Sequence, residues 1–445
     1  MKKIQASELL LYGLLLISLV AYVLLAWWVP RESVFQVIGL YGGLFLIYSI
    51  LLQNWKPSFG LLLGAAFVFR LVFLGTIPAL SDDYFRFVWD GRLWASGENP
   101  FLHLPGYYLE EGHQIAGLTQ SLYDNLNSPE YFTIYPPVCQ GIFALGAWLF
   151  PDNLLGHVIT MRAVLLVGDV LGIYYLYRLL DRFNLPGHHV LWYALNPLVI
   201  VELTGNLHFE GLMIAFLFWA VYLLTTYRLH TSAFVLALSV CTKLIPLMFL
   251  PFLFKRLGWT KSVKYYLLTG LWIVVLFLPF LSLELFENFF SSVDLYFQKF
   301  EFNAGFYYIA RWIGIEISGY NLIKYIGAGF TVLAGLVIVL MALLEKDAGW
   351  RKLPQKMLMA QAWYYFLATT VHPWYITTLV AHSLFTRFRF AIVWSALATL
   401  SYYTYLTDAY VENLGLVAVE YTVVFSWLLV EWRVARKAKK LTKKR

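Results

Sequence analysis

The chain has 445 residues, of which 60% are hydrophobic and only 13% are charged, and its mean hydropathy is +0.66. This composition excludes a soluble globular domain, because too few polar side chains are present to cover such a chain in water. The formal net charge of +7 includes a basic C-terminal segment, which indicates contact with anionic lipid and not with nucleic acid.

Apolar runs long enough to cross a bilayer recur along the chain, and they predict an all-α, polytopic transmembrane bundle of about 12 to 14 helices. The first run lacks a cleavage site of small residues, so we expect a retained helix and not a signal peptide. One membrane domain is predicted over residues 1–432, with a basic tail over residues 433–445. The predicted spans are Leu9–Val29, Ser33–Gln53, Phe59–Ile77, Val138–Phe150, His157–Leu180, His189–Thr204, Phe209–Tyr227, Thr231–Phe254, Val263–Leu281, Leu322–Leu344, Met357–Val371, Trp374–Phe385, Phe390–Leu406 and Leu414–Trp432.

The distribution of charge predicts which loops lie on which side of the membrane. The tail carries eight basic residues and no acid, whereas the loop at residues 78–135 carries eight acids and two arginines. By the positive-inside rule the tail is cytoplasmic and this loop is outside. The basic segment Arg178–Arg182 is expected to be cytoplasmic, but two full spans between Tyr135 and Arg178 would place it outside. One stretch is therefore expected to be re-entrant, either Val138–Phe150 or the one around Pro246.

The loop at residues 78–135 is too long for a simple connector and too aromatic for disorder. Its first part predicts a short amphipathic helix on the outer leaflet, with its aromatic edge in the lipid. The turn at residues 96–100 ends that helix. Polar side chains recur at every fourth position beside an apolar stripe: Asp82, Arg86 and Asp90, and Phe85, Trp89 and Leu93.

Asp82 and Asp83 are the first candidates for chemistry. Adjacent carboxylates repel each other, so the pair suits either a shared proton, as in a general base, or a shared cation. The alternative is an ordinary helix start, because Asp is favoured at a helix N-terminus.

Further ionisable residues lie at interruptions of apolar runs. His208 and Glu210 interrupt one pair of predicted helices, Lys243 precedes Pro246, and His372 is followed by Trp374 and Tyr375. Irregular backbone at membrane depth is tolerated only where it lines a cavity or is buried in protein, so these breaks are candidate site segments. For Asp169, internal pairing with Arg162 or Lys243 is expected.

The sequence contains no Gly-rich phosphate loop and no hydrolase or metalloprotease motif. An enzyme of this composition would take its substrates from the membrane or from outside the cell. Cys139 and Cys241 both fall in apolar segments and are expected to be small buried hydrophobes.

Several of these motifs together resemble the GT-C glycosyltransferases, especially the polyprenyl- or dolichyl-phosphate-mannose-dependent mannosyltransferases. The breaks around His208, Lys243 and His372 are similar to those of bacterial members. Two features depart from the family: the acids are adjacent instead of forming Asp-x-Asp, and two predicted spans precede the one that enters the loop. The motifs that resemble the first outer loop are Ser81-Asp82-Asp83-Tyr84 through Trp89-Asp90-Gly91, Gly97-x-Asn99-Pro100-Phe101 and Tyr135-Pro136-Pro137.

The resemblance implies an inverting transfer of a hexose, mannose, from a polyprenyl-phosphate sugar to a lipid or glycan acceptor. The reaction would take place on the outer face of the cell inner membrane. Asp82, with Asp83 as the alternate, is the expected catalytic base. The expected substrate-binding residues are Arg86, Asp90, Tyr135, His208, Glu210, Lys243, Arg311, His372, Trp374 and Tyr375. Lys243, His372 and Arg311 among them would stabilise the leaving phosphate.

Three alternatives accompany this prediction. No cofactor is assigned, but a divalent cation could bridge the acids and the phosphate, held by Asp82, Asp83, His208 and Glu210. A transporter or lipid flippase would also have broken helices and buried charges. A ligase or polymerase of lipid-linked glycans is the third. Convergence of Asp82, Lys243 and His372 on one cavity favours the transferase, whereas a polar path through the membrane favours transport.

Overall fold

The computed structural model of the chain describes residues 6–53, 58–407 and 409–442. In those residues all of its regular elements are helices, and its only β-type contact is an isolated bridge between Phe302 and Thr370. The α-helices are α1 (Ala6–Trp27), α2 (Val34–Gln53), α3 (Phe59–Leu71), α4 (Asp83–Ala95), α5 (Gln120–Asp124), α6 (Pro137–Leu149), α7 (Leu154–Arg182), α8 (Leu191–Ala194), α9 (Glu210–Thr225), α10 (Leu229–Val240), α11 (Pro251–Leu257), α12 (Trp259–Phe277), α13 (Glu284–Lys299), α14 (Phe306–Ser318), α15 (Ile323–Leu343), α16 (Leu353–Leu367), α17 (Ile376–Ser383), α18 (Phe390–Leu397) and α19 (Leu414–Thr442).

Short segments of tighter or wider helix connect these elements. A π-helix forms at Val199–Gly205, immediately before the break that leads into α9. The 3₁₀ segments are Pro105–Leu109, Gly187–Val190, Ile245–Phe249, Leu278–Phe280, Trp350–Lys352, Pro373–Tyr375 and Ala398–Leu406.

Six helices in the described residues are long and apolar enough to cross a membrane: α1, α2, α7, α12, α15 and α19. The π-helix and α9 would add a seventh if the bent pair is one span. These helices confirm the predicted fold class. The predicted number of spans is larger because several apolar runs are divided into short helices. The run predicted at Thr231–Phe254, for example, contains α10, a 3₁₀ segment and α11.

The predicted breaks around His208 and Lys243 are confirmed. The π-helix and α9 meet at an angle of 107° across residues 206–209. Lys243 lies in the gap between α10 and the 3₁₀ segment at Ile245–Phe249, where Pro246 cannot continue an α-helix. The polar side chains of these segments therefore lie at helix ends and not along a continuous helix.

Helix α4 is confirmed, but the prediction that its aromatic edge lies in lipid is wrong. Val88 and Trp89 are 0% exposed, and Phe87 stacks on Phe143 of α6 with 4.7 Å between ring centroids. The helix approaches α6 so closely that a Cβ on Gly91 would lie 2.4 Å from the Phe143 carbonyl oxygen. An amphipathic pattern reports one apolar face, but it cannot say whether protein or lipid covers that face.

Two buried arginines, Arg70 and Arg162, connect helices that are distant in sequence. Arg70 of α3 forms an ion pair with Asp169 of α7 and donates to the Ala194 carbonyl at 2.6 Å. Arg162 donates to backbone carbonyls, including that of Thr204 at 2.9 Å. Internal pairing of Asp169 is thus confirmed, whereas its predicted partners Arg162 and Lys243 are wrong. Arg70 is the partner because its long side chain reaches from α3 to Asp169 on α7, a contact that sequence spacing does not report.

The predicted basic tail begins as a continuation of α19, which extends to Thr442. Residues 443–445 of the tail, and residues 1–5 before the first predicted span, lie outside the described residues. The division into one membrane domain and a tail stays a prediction.

Candidate active site

The two adjacent acids at the start of α4 have different partners. The carboxylate of Asp82 forms an ion pair with Arg31, which lies in the turn between α1 and α2. The Arg31 guanidinium is also 5.0 Å from the centroid of the Tyr405 ring. Asp83 instead accepts a hydrogen bond of 2.6 Å from the Asn127 amide. A cation therefore neutralises Asp82, whereas Asp83 is held by a neutral donor.

The environment of Asp83 makes its carboxylate a stronger proton acceptor. Burial raises the pKa of Asp83 above its ordinary value of 3.8. The charge of Lys243 and the hydrogen bond from Asn127 act in the opposite direction, but they do not cancel the effect of burial. A carboxylate with a raised pKa takes up a proton more readily, which suits a general base.

His208 reaches Asp83 from the break between the π-helix and α9. Leu207, just before it, has a φ of +62°, and a bulky residue in this left-handed region costs roughly 1–3 kcal/mol unless its surroundings hold it. The turn brings His208 Nδ1 to 3.9 Å from Asp83 Oδ2. Strain of this kind is concentrated at functional sites, and here it positions a ring nitrogen beside the candidate base.

Stacked aromatic rings extend from His208 to the other predicted break. Trp374 lies between two imidazoles, with centroid distances of 3.7 Å to His208 and 4.3 Å to His372. The Phe302 ring stacks on His372, with 4.8 Å between the ring centroids. Burial lowers the pKa of His372 to about 3, and the charge of Lys243 acts in the same direction. His372 is therefore a neutral imidazole that can donate or accept a hydrogen bond but carries no charge.

Lys243 supplies a positive charge to this cluster. Its Nζ lies 2.7 Å from Oε1 of the buried Glu210 and 5.9 Å from the centroid of the Tyr375 ring. Burial lowers the pKa of Lys243, but the charge of Glu210, the hydrogen bond to Glu210 and the charge of Asp83 act together in the opposite direction, so the pKa stays above its ordinary value. The Tyr375 ring is 5.4 Å from that of His372, which joins Lys243 to the stacked rings.

Tyr135, at the end of the loop, borders the same cluster. Its ring packs edge-on against Phe87 at 4.9 Å. Burial raises the pKa of Tyr135, and the negative charge of Asp83 raises it further. The phenol therefore stays protonated and can donate a hydrogen bond next to Asp83.

Arg86 and Asp90 lie on α4 but are directed into the protein. Their side chains form a buried ion pair of 2.8 Å, and Arg86 also donates to the Tyr131 carbonyl at 2.9 Å. Asp90 accepts from Thr133 at 2.5 Å and from Gln140 at 3.1 Å. These contacts attach the end of the loop to α4 and α6, so their observed partners are structural. The spacing placed Arg86 and Asp90 on one face of α4 but did not predict this attachment, and their binding of substrate stays a prediction.

Arg311 has a different set of neighbours. It forms an ion pair with Glu301, and its guanidinium is 4.5 Å from the centroid of the Tyr308 ring. Glu301 lies in the segment that joins α13 to α14, and Arg311 lies in α14. The structure thus brings together Asp83, His208, Glu210, Lys243, His372, Trp374, Tyr375 and Tyr135, with Arg311 in a separate cluster.

Three residues of this region were not singled out as site residues by sequence analysis. Arg31 is a lone cation just beyond an apolar run, and Asn127 is one of several amides in a long loop. Glu202 lies in the π-helix, with its Oε2 3.4 Å from His208 Nε2. Only Glu202 gave a signal, because a carboxylate late in an apolar run is costly and needs a partner.

The geometry offers little to a bridging metal ion. In the described part of the chain, no group of three or more His, Cys, Asp or Glu side chains is arranged to hold one. Of the four predicted ligands, Asp82 is paired with Arg31 and Glu210 with Lys243.

Known proteins similar to this chain indicate a class of enzyme. Residues 5–257 match the profile of a family described as alpha-(1→6)-mannopyranosyltransferase, N-terminal domain. The chain is also 27% identical over 145 residues to an alpha-(1→6)-mannopyranosyltransferase of Mycobacterium tuberculosis (strain ATCC 25618 / H37Rv). That alignment covers 32% of the chain and only 24% of the relative. No solved structure matches the chain significantly.

Proposed function

We propose a function on the premise that the chain belongs to the alpha-(1→6)-mannopyranosyltransferase family, whose profile covers more than half of its residues. The proposed reaction transfers mannose from a polyprenyl-phosphate-mannose donor to a hydroxyl group of a lipid or glycan acceptor, with inversion. The observation that carries the proposal is the meeting of Asp83, His208 and Lys243, from three separate helix ends, in one cluster.

Asp83 is the proposed general base. Asp82, the first choice from the sequence, is occupied by its ion pair with Arg31. Asp83 has a raised pKa and borders His208 and Lys243. Positioned general bases typically contribute roughly 10²- to 10⁴-fold to a rate.

The proposed chemistry is a single displacement. The acceptor oxygen attacks the anomeric carbon of mannose while its proton passes to Asp83. The bond from that carbon to the phosphate oxygen breaks, and the electron pair leaves with polyprenyl phosphate. One displacement with attack opposite the leaving group inverts the configuration.

Lys243 is the proposed counter-charge for the leaving phosphate, which needs electrostatic stabilisation more than protonation. His372, a neutral imidazole, would donate a hydrogen bond. Tyr135, Trp374 and Tyr375 provide ring faces and edges beside these groups, which suits a sugar and the first part of its carrier. Contact of Arg311 with the donor stays a prediction.

The helices describe a multi-pass membrane protein, and we place the cluster on the extracytoplasmic face of the cell inner membrane. The acidic loop and the basic C-terminal segment support this orientation by the positive-inside rule. The family match gives no support to the transporter, flippase and glycan-ligase alternatives.

The test is mannosyl transfer in membranes that contain the full chain, with radiolabelled polyprenyl-phosphate-mannose as donor and membrane lipid as acceptor. Asp83→Asn is expected to lower transfer by roughly 10²-fold or more, and Asp82→Asn by less. Glu110→Gln, at an exposed acid of the same loop, is the matched control. Absence of transfer by the wild type with mannose, glucose and galactose donors would reject the proposed function. Full activity of Asp83→Asn would reject only the assignment of the base.

A further inference from the structure

Glu202 is a fully buried carboxylate that no step of the proposed reaction uses. Its oxygens accept hydrogen bonds from Tyr41 at 3.2 Å, from Asn206 at 3.0 Å and from Tyr402. Three donors thus occupy acceptor positions of one carboxyl group, and an ionised carboxylate can only accept hydrogen bonds. A further polar partner of the Glu202 carboxylate must therefore also present a proton.

His208 is a further polar neighbour of this carboxylate, within contact distance but not hydrogen-bonded to it through its ring in the structure. Its Nε2 lies 3.4 Å from Glu202 Oε2, and its backbone N–H donates to the Glu202 carbonyl at 3.2 Å. The π-helix and the left-handed Leu207 bring these two residues, six positions apart, into contact. In a neutral imidazole one nitrogen carries the proton and the other a lone pair. A proton on Nε2, facing the carboxylate, leaves the lone pair on Nδ1.

The nitrogen that carries this lone pair lies near the proposed base. His208 Nδ1 and Asp83 Oδ2 are 3.9 Å apart, too far for a direct hydrogen bond and close enough to form one after a small movement. While Asp83 is ionised, both atoms are acceptors and do not attract each other. After Asp83 has taken the acceptor's proton, its carboxyl becomes a donor and Nδ1 can accept from it.

We propose that Glu202 is a positioning residue that holds the proton of His208 on Nε2, so that Nδ1 stabilises Asp83 after it has accepted a proton. This inference rests on the proposed function. The same logic operates wherever a third group orients an imidazole that acts on a reacting residue.

Other titratable groups near His208 are occupied in different ways. Lys243 is paired with Glu210, and His372 stacks on the far side of Trp374. Trp374 covers one face of the His208 ring. The ring nitrogens therefore face Glu202 on one side and Asp83 on the other.

The test substitutes Glu202→Gln and measures kcat/KM for mannosyl transfer against pH. A Gln amide can donate to Nε2, which moves the imidazole proton to Nδ1 and points it at Asp83. The ionised form of Asp83 is then stabilised and its proton affinity falls. We expect kcat/KM to decrease by about 10- to 100-fold and the acidic limb of the profile to move to lower pH.

Two variants separate positioning from structural support. Tyr402→Phe removes a donor to the same carboxylate but keeps its charge, so we expect its acidic limb to stay at the wild-type pH. In a His208→Phe background, Glu202→Gln is expected to cause no further shift of the limb. The inference would be overturned if the acidic limb of the pH profile did not move in Glu202→Gln, or if it moved equally in the His208→Phe background. Either result would leave the proposed function intact. A wild type without transfer activity would overturn both this inference and the proposed function.

Discussion

At the scale of single residues, two neighbours in sequence acquire different chemistry from their partners. Asp82, just before α4, meets the Arg31 guanidinium, whereas Asp83 turns toward Asn127 and His208. An ion pair stabilises the charged form of a carboxylate, and burial destabilises it. Asp82 is therefore held in an ion pair, and Asp83 is the carboxylate that we propose as the base.

The raised pKa of Asp83 predicts the pH dependence of the enzyme. A general base works only when it is ionised, so transfer should decrease as the pH falls through the pKa of Asp83. Because burial raises that pKa above 3.8, the decrease should begin at a higher pH than for an exposed Asp. The measurement is kcat/KM from pH 4 to 8 in detergent, with Asp82→Asn as the control. A profile that is flat down to pH 4 would contradict the prediction.

Lys243 is expected to contribute to both stability and catalysis, and the two can be separated. Lys243→Met would leave the buried Glu210 uncompensated, which typically costs about 3–5 kcal/mol. Adding Glu210→Gln removes that unpaired charge, so the double variant should recover most of the lost thermal stability in detergent. Mannosyl transfer should stay low in both variants, because neither carries the counter-charge for phosphate. Recovery of transfer in the double variant would show that Lys243 acts through folding only.

At the scale of elements, the site is built from interruptions of helices. Side chains of the cluster come from three such interruptions: the π-helix before α9, the gap after α10, and the 3₁₀ turn at Pro373–Tyr375. In a continuous helix these side chains would point outward around the helix axis and would not meet. Helix α4 holds the acids against these breaks because it packs closely on α6. Close packing of the two helices is therefore a requirement for the geometry of the site.

The contact between α4 and α6 depends on Gly91. Gly91→Ala would place a Cβ 2.4 Å from the Phe143 carbonyl oxygen, so the helices must separate. Overpacking of this kind costs typically 1–3 kcal/mol, and the shift of α4 should also reduce transfer. The measurements are thermal unfolding in detergent and mannosyl transfer.

Gly64→Ala in α3 is the matched control, since nothing lies within 4 Å of the added Cβ. It should leave stability unchanged or slightly increased, because Ala favours helix over Gly. Equal effects of the two substitutions would contradict the proposed role of the α4–α6 contact.

At the scale of the whole molecule, buried polar networks connect helices that are distant in sequence. Arg70 joins α3 to Asp169 of α7 and to the Ala194 carbonyl at the end of α8. Within the membrane such groups cannot be exposed cheaply, so each needs a specific partner. These partners set how the N-terminal helices pack against the helices that carry the site.

Removing one partner of the Arg70–Asp169 ion pair should destabilise the protein, whereas removing both partners should not. Arg70→Met leaves Asp169 buried without its cation and is expected to cost about 3–5 kcal/mol. The double variant Arg70→Met/Asp169→Leu removes both charges and should unfold close to the wild-type temperature. Thermal unfolding of the three proteins in detergent measures this. A double variant no more stable than Arg70→Met would mean that the other contacts of these side chains dominate.

The membrane class, the helical fold, helix α4 and the breaks around His208, Lys243 and His372 could all be predicted from the amino-acid sequence. This was possible because hydropathy, local periodicity and the cost of buried charge act over short stretches of chain. The sequence also selected most of the residues that meet at the site, since ionisable side chains in apolar surroundings are few.

The partners of these groups became known only from the folded structure. Arg31 forms an ion pair with Asp82, and Arg70 forms one with Asp169. Arg86 and Asp90 bind the end of the loop and do not face the cluster. The folded structure also showed that protein covers α4, and it placed Glu202 behind His208. Contacts between helices that are distant in sequence depend on how the helices pack, and the identity of a partner across such a contact leaves no mark in local spacing.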